Sequence, residues 1–325
     1  MEVFMLKHDF FKPPVARNAV FDHLKTGDLW SGKARYIDDW YAVEMVDDQT
    51  VIIGEPKSSQ YNLSYLIIGK EEAILFDTGS GEHGPGTPSI RQVVQGFTDR
   101  PLRVVLSHFH YDHTGGVDAF DGVTMIDLAY LRAKVKRGTY RVSVWEHAGL
   151  KRPLLRVNGW VKPDGIIDLG GRTIQCVNTP GHTPEAITLI DHHRKYVFTG
   201  DFMYKHLGGI LVFVPGSDHD EYIDSVERLA AKTADGYRYF GAHGLPEYDH
   251  AWLYEAGEEL VKAKACKGGL PMSVSSVAPW IPLKVHGKGQ LLIYFTPIYP
   301  ARLCSLRVLM GLAFLTVCGA LVILL

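Results

Sequence analysis

Cysteine is scarce in this chain. Cys176, Cys266, Cys304 and Cys318 are the only four in 325 residues, and no two form a CxxC pair. Their spacing excludes a disulfide framework and a thiolate-held structural metal, and it fits a reducing compartment. An excess of charge is also missing: 34 Lys and Arg against 36 Asp and Glu leave a net charge of −2. Nucleic acid is therefore not expected as a bulk electrostatic partner. At the N-terminus the only apolar run, Val3 to Leu6, stops at Lys7, His8 and Asp9, too short for a secretory signal. No repeat of solenoid period is present. What remains, 46% hydrophobic and 22% charged residues, is ordinary for a globular domain with a substantial core.

The one long hydrophobic run lies at the other end. Val308 to Leu325 carries no charge and is apolar on all sides. As a helix it would be roughly 27 Å long, close to the thickness of a bilayer core. A transmembrane tail anchor is predicted over 303–325. Lys284, Lys288, Arg302 and Arg307 precede it, so the positive-inside tendency puts the large N-terminal part on the cytoplasmic side of a membrane.

The rest divides into an N-terminal arm (1–35), a globular domain (36–267) and a linker rich in Pro and Gly (268–302), partly membrane-hugging through Trp280 and residues 291–295. In the domain, strand-like runs (Trp40 to Val46, Val51 to Gly54, Tyr61 to Ile68, Ala73 to Phe76) give way to a helix from Ser89 to about Phe97. Later strands are expected at Thr124 to Asp127, Arg172 to Val177, Ala186 to Ile190, Tyr196 to Thr199 and Tyr237 to Phe240. Two amphipathic helices are expected beside them. One is capped by Ser217 or Asp218 and buries Tyr222, Ile223, Val226 and Leu229; the other buries Trp252, Leu253, Ala256, Leu260 and Val261.

Two patterns invite a functional reading and are better read as structure. Gly79 to Gly84 matches G-x-G-x-x-G after a strand, but Pro85, Gly86 and Pro88 stop a helix from opening where a pyrophosphate would need one. Residues 134–162 concentrate Lys134, Lys136, Arg137, Arg141, Lys151, Arg152, Arg156 and Lys162. A solvated face accounts for them; the functional alternative is a rim that attracts an anionic substrate or lipid headgroups.

Ser107 to Gly116 has a different character. His108, His110, Asp112 and His113 place four N/O donors within six residues, directly after the apolar run Arg103 to Leu106. Packed together without a partner, such groups are costly; a divalent metal resolves the cost, and imidazole with carboxylate suits zinc. If the strand continues, its two-residue period points His108 and His110 the same way, and Asp112 and His113 swing round on the turn. Three later residues, His182, Asp201 and His243, each sit where a strand gives way to a loop.

With Asp77 in front, this series resembles the metallo-β-lactamase-fold hydrolase superfamily: an early Asp, HxHxDH, a lone His, a bridging Asp and a last His, in that order over roughly residues 45–265. The resemblance implies an α/β fold, an αββα sandwich with two metals at one edge. It implies two Zn²⁺ per chain, one held by His108, His110 and His182 and the other by Asp112, His113 and His243. Asp201 would bridge them and Asp77 would orient the ligand loops from behind. Ligand type alone leaves iron and manganese open.

The activity implied is hydrolysis of a carboxylic ester, thioester or lactone by a metal-bridging hydroxide, on a small-molecule or lipid-like substrate. Asp112 would orient the attack. Gly200 to Tyr204 resembles the Gly-Asp-x-x-Tyr of lactonase-like and thioesterase-like members, in which the phenol binds or polarises the carbonyl, so Tyr204 is a catalytic candidate. Asp201 speaks against the true β-lactamase branches and His110 against the oxygen-reducing diiron branch. The single helix and Pro-rich stretch after His243 speak against a standard glyoxalase II. Two alternatives stand beside this reading: a phosphodiesterase acting on phospholipid or nucleic acid, and a non-catalytic metal-binding membrane protein.

Overall fold

In the computed structural model, the described residues are 27–143, 153–204, 210–212, 214, 216–265, 270–273, 282–288 and 291–295. Nine strands build a first sheet: β1 (Arg35–Tyr36), β2 (Ala42–Asp47), β3 (Thr50–Glu55), β4 (Asn62–Ile68), β5 (Ala73–Phe76), β6 (Leu102–Val105), β7 (Val123–Ile126), β8 (Thr139–Arg141) and β9 (Leu154–Val161). They lie in the order β1-β2-β3-β4-β5-β6-β7-β9-β8. Pairing is antiparallel from β1 to β5, then parallel from β5 through β6 and β7 to β9.

A second sheet has the order β10-β11-β12-β13-β15-β16, from β10 (Ile166–Asp168), β11 (Thr173–Asn178), β12 (Ile187–Asp191), β13 (Tyr196–Gly200), β15 (Arg238–Gly241) and β16 (Glu247–Tyr248). Its β13–β15 pair is parallel, which requires a crossover. Five α-helices are described: α1 (Ile90–Gln95), α2 (Tyr111–Thr114), α3 (Ala129–Lys134), α4 (His219–Ala230) and α5 (His250–Ala265).

Strand periodicity sorts the core into three layers. Ile52, Leu63, Tyr65, Ile67, Ile74 and Phe76 of the first sheet meet Ile174, Cys176, Ile187, Leu189, Phe198 and Phe240 of the second in one buried cluster. The alternate residues Val51, Ile53, Leu66 and Leu75 face the other way, onto Ile90, Val93 and Val94 of α1. On the far side of the second sheet, Val177, Ile190, Val197 and Tyr239 pack on Tyr222, Val226 and Leu229 of α4 and Leu253, Ala256 and Leu260 of α5. Strands buried on both faces read as nearly continuous apolar runs, which is why alternation is faint in the sequence. The result is the expected αββα sandwich. Across it, Arg172 binds Asp191 Oδ2 at 2.8 Å and also donates to the Gln49 and Ile68 carbonyls and to Thr50 Oγ1.

Local chemistry sets the helix starts. Ser89 and Gln92 form a capping box on α1, and the Asp218 side chain accepts from the backbone N–H groups of Asp220 and Glu221 at the start of α4. In α5 the buried stripe ends differently from the expectation: Ala263 is buried and Val261 is 52% exposed. The glycine-rich stretch after β5 opens no helix before α1, as its prolines require.

Two expectations need correction. The stretch expected to be a linker holds β17 (Leu270–Ser273), β18 (Pro282–Lys288) and β19 (Leu291–Phe295), which join β14 (Ile210–Val212) in a small sheet of order β14-β19-β18-β17. Ile293 is buried with Val212 and the α5 residues Leu253 and Leu260, so hairpin pairing outweighs the prolines there. The transmembrane helix is also withdrawn. Among the described residues no helix is long and apolar enough to cross a membrane. The longest, α5, has 16 residues and carries Glu255, Glu258, Glu259, Lys262 and Lys264, about 24 Å of amphipathic helix. Residues 303–325 lie outside the described residues. The single-pass anchor, with the catalytic domain on the cytoplasmic side, is withdrawn with it.

Candidate metal centre

All seven candidate residues converge at one edge of the sandwich, where the strands of the parallel pairs end. Asp77 follows β5, His108 to His113 follow β6, Asp201 follows β13 and His243 lies two residues beyond β15. His182 comes from the β11–β12 connection. The strand does not continue through the motif as its spacing suggested. It ends at Val105, and His110 is already the N-cap of the four-residue α2. His108 and His110 still meet, their rings T-shaped at 4.5 Å, because the loop rather than the pleat turns them inward. On α2, adjacent residues diverge by about 100°, so Asp112 faces Asn62 while His113 faces Asp77.

Close backbone approach lets the sheets join here. Gly200, at φ +54°, lies where a Cβ would sit 2.4 Å from the Ser107 Cβ, so only glycine serves. The Ile187 N–H donates to the Ser107 carbonyl, and Leu63 N–H to that of Ala242. Tyr65 of the first sheet donates to the Gly241 carbonyl of the second.

Two overlapping donor groups result. His108, His110, His182 and Asp201 have donor atoms within 4.8 Å of one another, and so do Asp112, His113, Asp201 and His243. All are buried, and Asp201 belongs to both. Three imidazoles are aimed by their outer nitrogens. His113 Nδ1–H donates to Asp77 Oδ2 at 2.8 Å, and His243 Nδ1–H to the Gln60 carbonyl at 2.9 Å. His108 Nδ1 is 3.0 Å from Ser107 Oγ, whose hydroxyl donates to Asp77 Oδ2 at 2.7 Å. Each ring is thus left with Nε2 facing inward, the arrangement that orients a metal-binding histidine.

The donors fit a cation. His113 Nε2 is 3.2 Å from Asp201 Oδ1 and His108 Nε2 is 3.9 Å from Asp201 Oδ2. Yet the Nε2 atoms of His108, His110 and His113 and Oδ1 of Asp201, all buried, make no hydrogen bond of proper geometry. Buried polar atoms without partners are rare unless something else binds them. His182 Nε2 lies only 3.1 Å from His110 Nδ1, two nitrogens that converge on the same point.

Electrostatics divides the two groups. Burial, reinforced by the neighbouring imidazoles, holds His108 far below the usual histidine range, and His110 down at about 3, so both are neutral donors. Burial lowers His182 as well. For His113 and His243 burial also acts downward, but the carboxylate of Asp201, with Asp112, outweighs it and raises both. Conversely, burial acts to raise Asp112 and Asp201, and the His113 and His243 imidazoles outweigh it, keeping both carboxylates ionised. Without an ion, the two buried carboxylates favour the protonated form of His113 and His243; an ion binding there would compete with those protons.

Sequence reading missed the residues behind the donors. Ser107, Gln60 and Asn62 anchor His108, His243 and Asp112. Their one signal was a buried polar residue, Asn62, at the head of an apolar strand. Tyr204 is buried in the central core, its ring edge-on to His243 at 5.6 Å. The cations Lys134, Lys136, Arg137, Arg141, Arg156 and Lys162 are exposed along α3, β8 and β9, while Lys151 and Arg152 lie outside the described residues.

Comparison with known proteins agrees with this geometry. The family described as the metallo-beta-lactamase superfamily matches residues 60–241. The Homo sapiens protein named acyl-coenzyme A thioesterase MBLAC2 is 29% identical over 252 residues, 67% of this chain and 89% of that protein. The Bacillus subtilis probable metallo-hydrolase YqgX is 24% identical over 191 residues, 57% of this chain and 86% of that one. A metallo-beta-lactamase structure from Erythrobacter litoralis superposes with a TM-score of 0.53 at 16% identity, covering 70% of this chain and 99% of its own, a likeness of fold alone. With over half its length matched to that family, the chain belongs to the metallo-beta-lactamase superfamily of metal-dependent hydrolases.

Proposed function

We propose that the centre holds two zinc ions and hydrolyses a carboxylic thioester, the ester and lactone being the neighbouring substrates of the same chemistry. The observation that supports it is the pair of four-residue donor groups sharing Asp201. In this reading His108, His110 and His182 hold one ion, Asp112, His113 and His243 the other, and Asp201 both. Imidazole and carboxylate donors without thiolate suit zinc and leave room for substrate. The thioester is favoured over other carbonyl compounds by the name of the human relative.

Bound ions supply Lewis acidity toward a carbonyl oxygen and bring the pKa of water to about 7. The chain's own residues direct that chemistry. Asp112, kept ionised, accepts a hydrogen bond from the attacking water and sets its approach. His113 and His243 are held by Asp77 and the Gln60 carbonyl, so neither ring rotates as charge develops. Tyr204 is assigned to the substrate carbonyl, where a phenol donor would stabilise a developing oxyanion; its packing against His243 supports this.

The test is metal analysis of the purified chain together with a panel of acyl-coenzyme A thioesters, lactones, aryl esters and bis(p-nitrophenyl) phosphate. Two zinc ions per chain and preferred turnover of thioesters are expected. Asp201→Ala should cost more than the roughly 10–100-fold that loss of a supporting residue does. Tyr204→Phe should lower kcat with metal content intact. Turnover of the phosphodiester with inert thioesters would sink the carbonyl reading.

A further inference from the structure

The second donor group leans on a stretch that none of the sequence motifs includes, the β3–β4 turn (residues 56–61) and the residue after it. The Gln60 carbonyl accepts from His243 Nδ1–H at 2.9 Å, and the Gly244 N–H donates to the Tyr61 carbonyl. Asn62 itself pairs as a β-bridge with His243. Its side chain reaches the other way: Nδ2 lies 2.9 Å from the Asp112 carbonyl oxygen and 3.1 Å from Asp112 Oδ2. We propose that Asn62 is a positioning residue that fixes the Asp112 carboxylate, so that retention of the second ion depends on a side chain that is not itself a ligand. The inference rests on the two-ion reading above.

Three observations support it. Asn62 is 2% exposed, and both hydrogens of its amide are used on the two Asp112 oxygens. The reverse orientation of the amide would set its oxygen against both of them, so repulsion fixes which way it faces; the Asn62 backbone N–H donates to Ser58 Oγ at 3.1 Å. Apart from Asn62, Asp112 Oδ2 has beside it, among the described residues, only the imidazoles of its own donor group, His113 Nε2 at 3.5 Å and His243 Nε2 at 3.6 Å. Asp112 sits on a helix of four residues whose N-cap, His110, makes no side-chain capping bond. One helical turn does not hold a side chain's direction by itself. Asn62, by contrast, is fixed at the head of β4, in register with Glu55 of β3. Through one residue the first sheet therefore aligns Asp112 by a side chain and His243 by the backbone.

The experiment uses the full chain, titrated with zinc and separately with cobalt(II), whose visible absorption reports each site as it fills. Wild type should take up two ions in two phases. Asn62→Ala should keep the first phase at wild-type affinity and weaken the second by about 10–100-fold. A general loss of packing would weaken both. Asn62→Asp, the same size but a like charge against Asp112, should weaken the second phase further. If Asn62→Ala fails to fold, Asn62→Ser, which keeps a short polar group but loses the reach to Oδ2, should show the same selective loss. Two wild-type affinities in a folded Asn62 variant overturn the inference and leave the two-ion reading standing. A wild-type chain that binds fewer than two ions overturns that reading first, and this inference with it.

Discussion

Glu55, the last residue of β3, is buried at 2% exposure, and its carboxylate accepts hydrogen bonds from Trp40 Nε1 at 2.9 Å and from the Ser80 N–H at 2.7 Å. Burial pushes its carboxyl up to about 7, although those two bonds pull it down. A folded-state pKa above the unfolded one means that the folded chain holds the proton more tightly. The stability from this group is thus present in full below the unfolded value near 4.5 and lost as pH rises through about 7. At 1.36 kcal/mol per unit this amounts to about 3 kcal/mol. In urea unfolding of the metal-free chain, the advantage of wild type over Glu55→Gln should shrink by about that much between roughly pH 5 and pH 8; a constant difference would refute it. Glu55 also shows which residues a sequence hides. His108, His110, Asp112 and His113 were legible because four donors crowd one short stretch. Asn62, Ser107 and Glu55 were not, because each acts on a partner far along the chain or on a backbone group, and an isolated Asn, Ser or Glu carries no spacing to read.

At the level of elements, α1 and α4 were legible because cap and buried stripe agree: Ser89 with Ile90, Val93 and Val94, and Asp218 with Tyr222, Val226 and Leu229. The strands of the small third sheet were hidden by Pro271 and Pro282, which lie at a strand's second and first positions. In the sequence the motif after β6 has the look of a longer strand, because its apolar run leads into the histidines without a strong turn former. The loop before His182 is packed closely against a helix. Gly181 adopts φ +141°, and a Cβ there would fall 2.6 Å from the Cα of Tyr222 in α4. Gly181→Ala must therefore move the loop, and His182 with it. Metal content should fall toward one ion per chain, with a melting temperature lowered by the equivalent of about 1–3 kcal/mol. Unchanged metal content would show that the loop tolerates the displacement.

For the whole molecule, both sheets change from antiparallel to parallel pairing near the donor edge, and α1 and α4 lie in the crossovers this forces. That change was legible only in part. Individual strands and helices could be read from the residues, but the α/β class and the αββα arrangement came from family resemblance, since strands buried on both faces show little alternation to orient them. An ion held between the sheets adds to their stability by mass action, about 2.7 kcal/mol at a free concentration 100-fold above Kd. For a domain of this size that corresponds to roughly 5–10 °C. Chelation should lower the melting temperature by that margin, and restoring zinc should recover it; indifference to chelator would mean the sandwich closes without the ions.

The sharing of Asp201 has a further consequence during synthesis. The first sheet contributes His108, His110, Asp112 and His113, while every complete donor group also needs residues of the second: His182 and Asp201 for one, Asp201 and His243 for the other. A nascent chain that has released only the first sheet from the ribosome can offer zinc an incomplete set, open to exchange with any cellular thiol or buffer. In the proposed assignment the first ion is secured only once Asp201 has emerged and β13 has paired, and the second waits for His243. On that assignment an ion held at the seam would mark a chain whose two halves have already met.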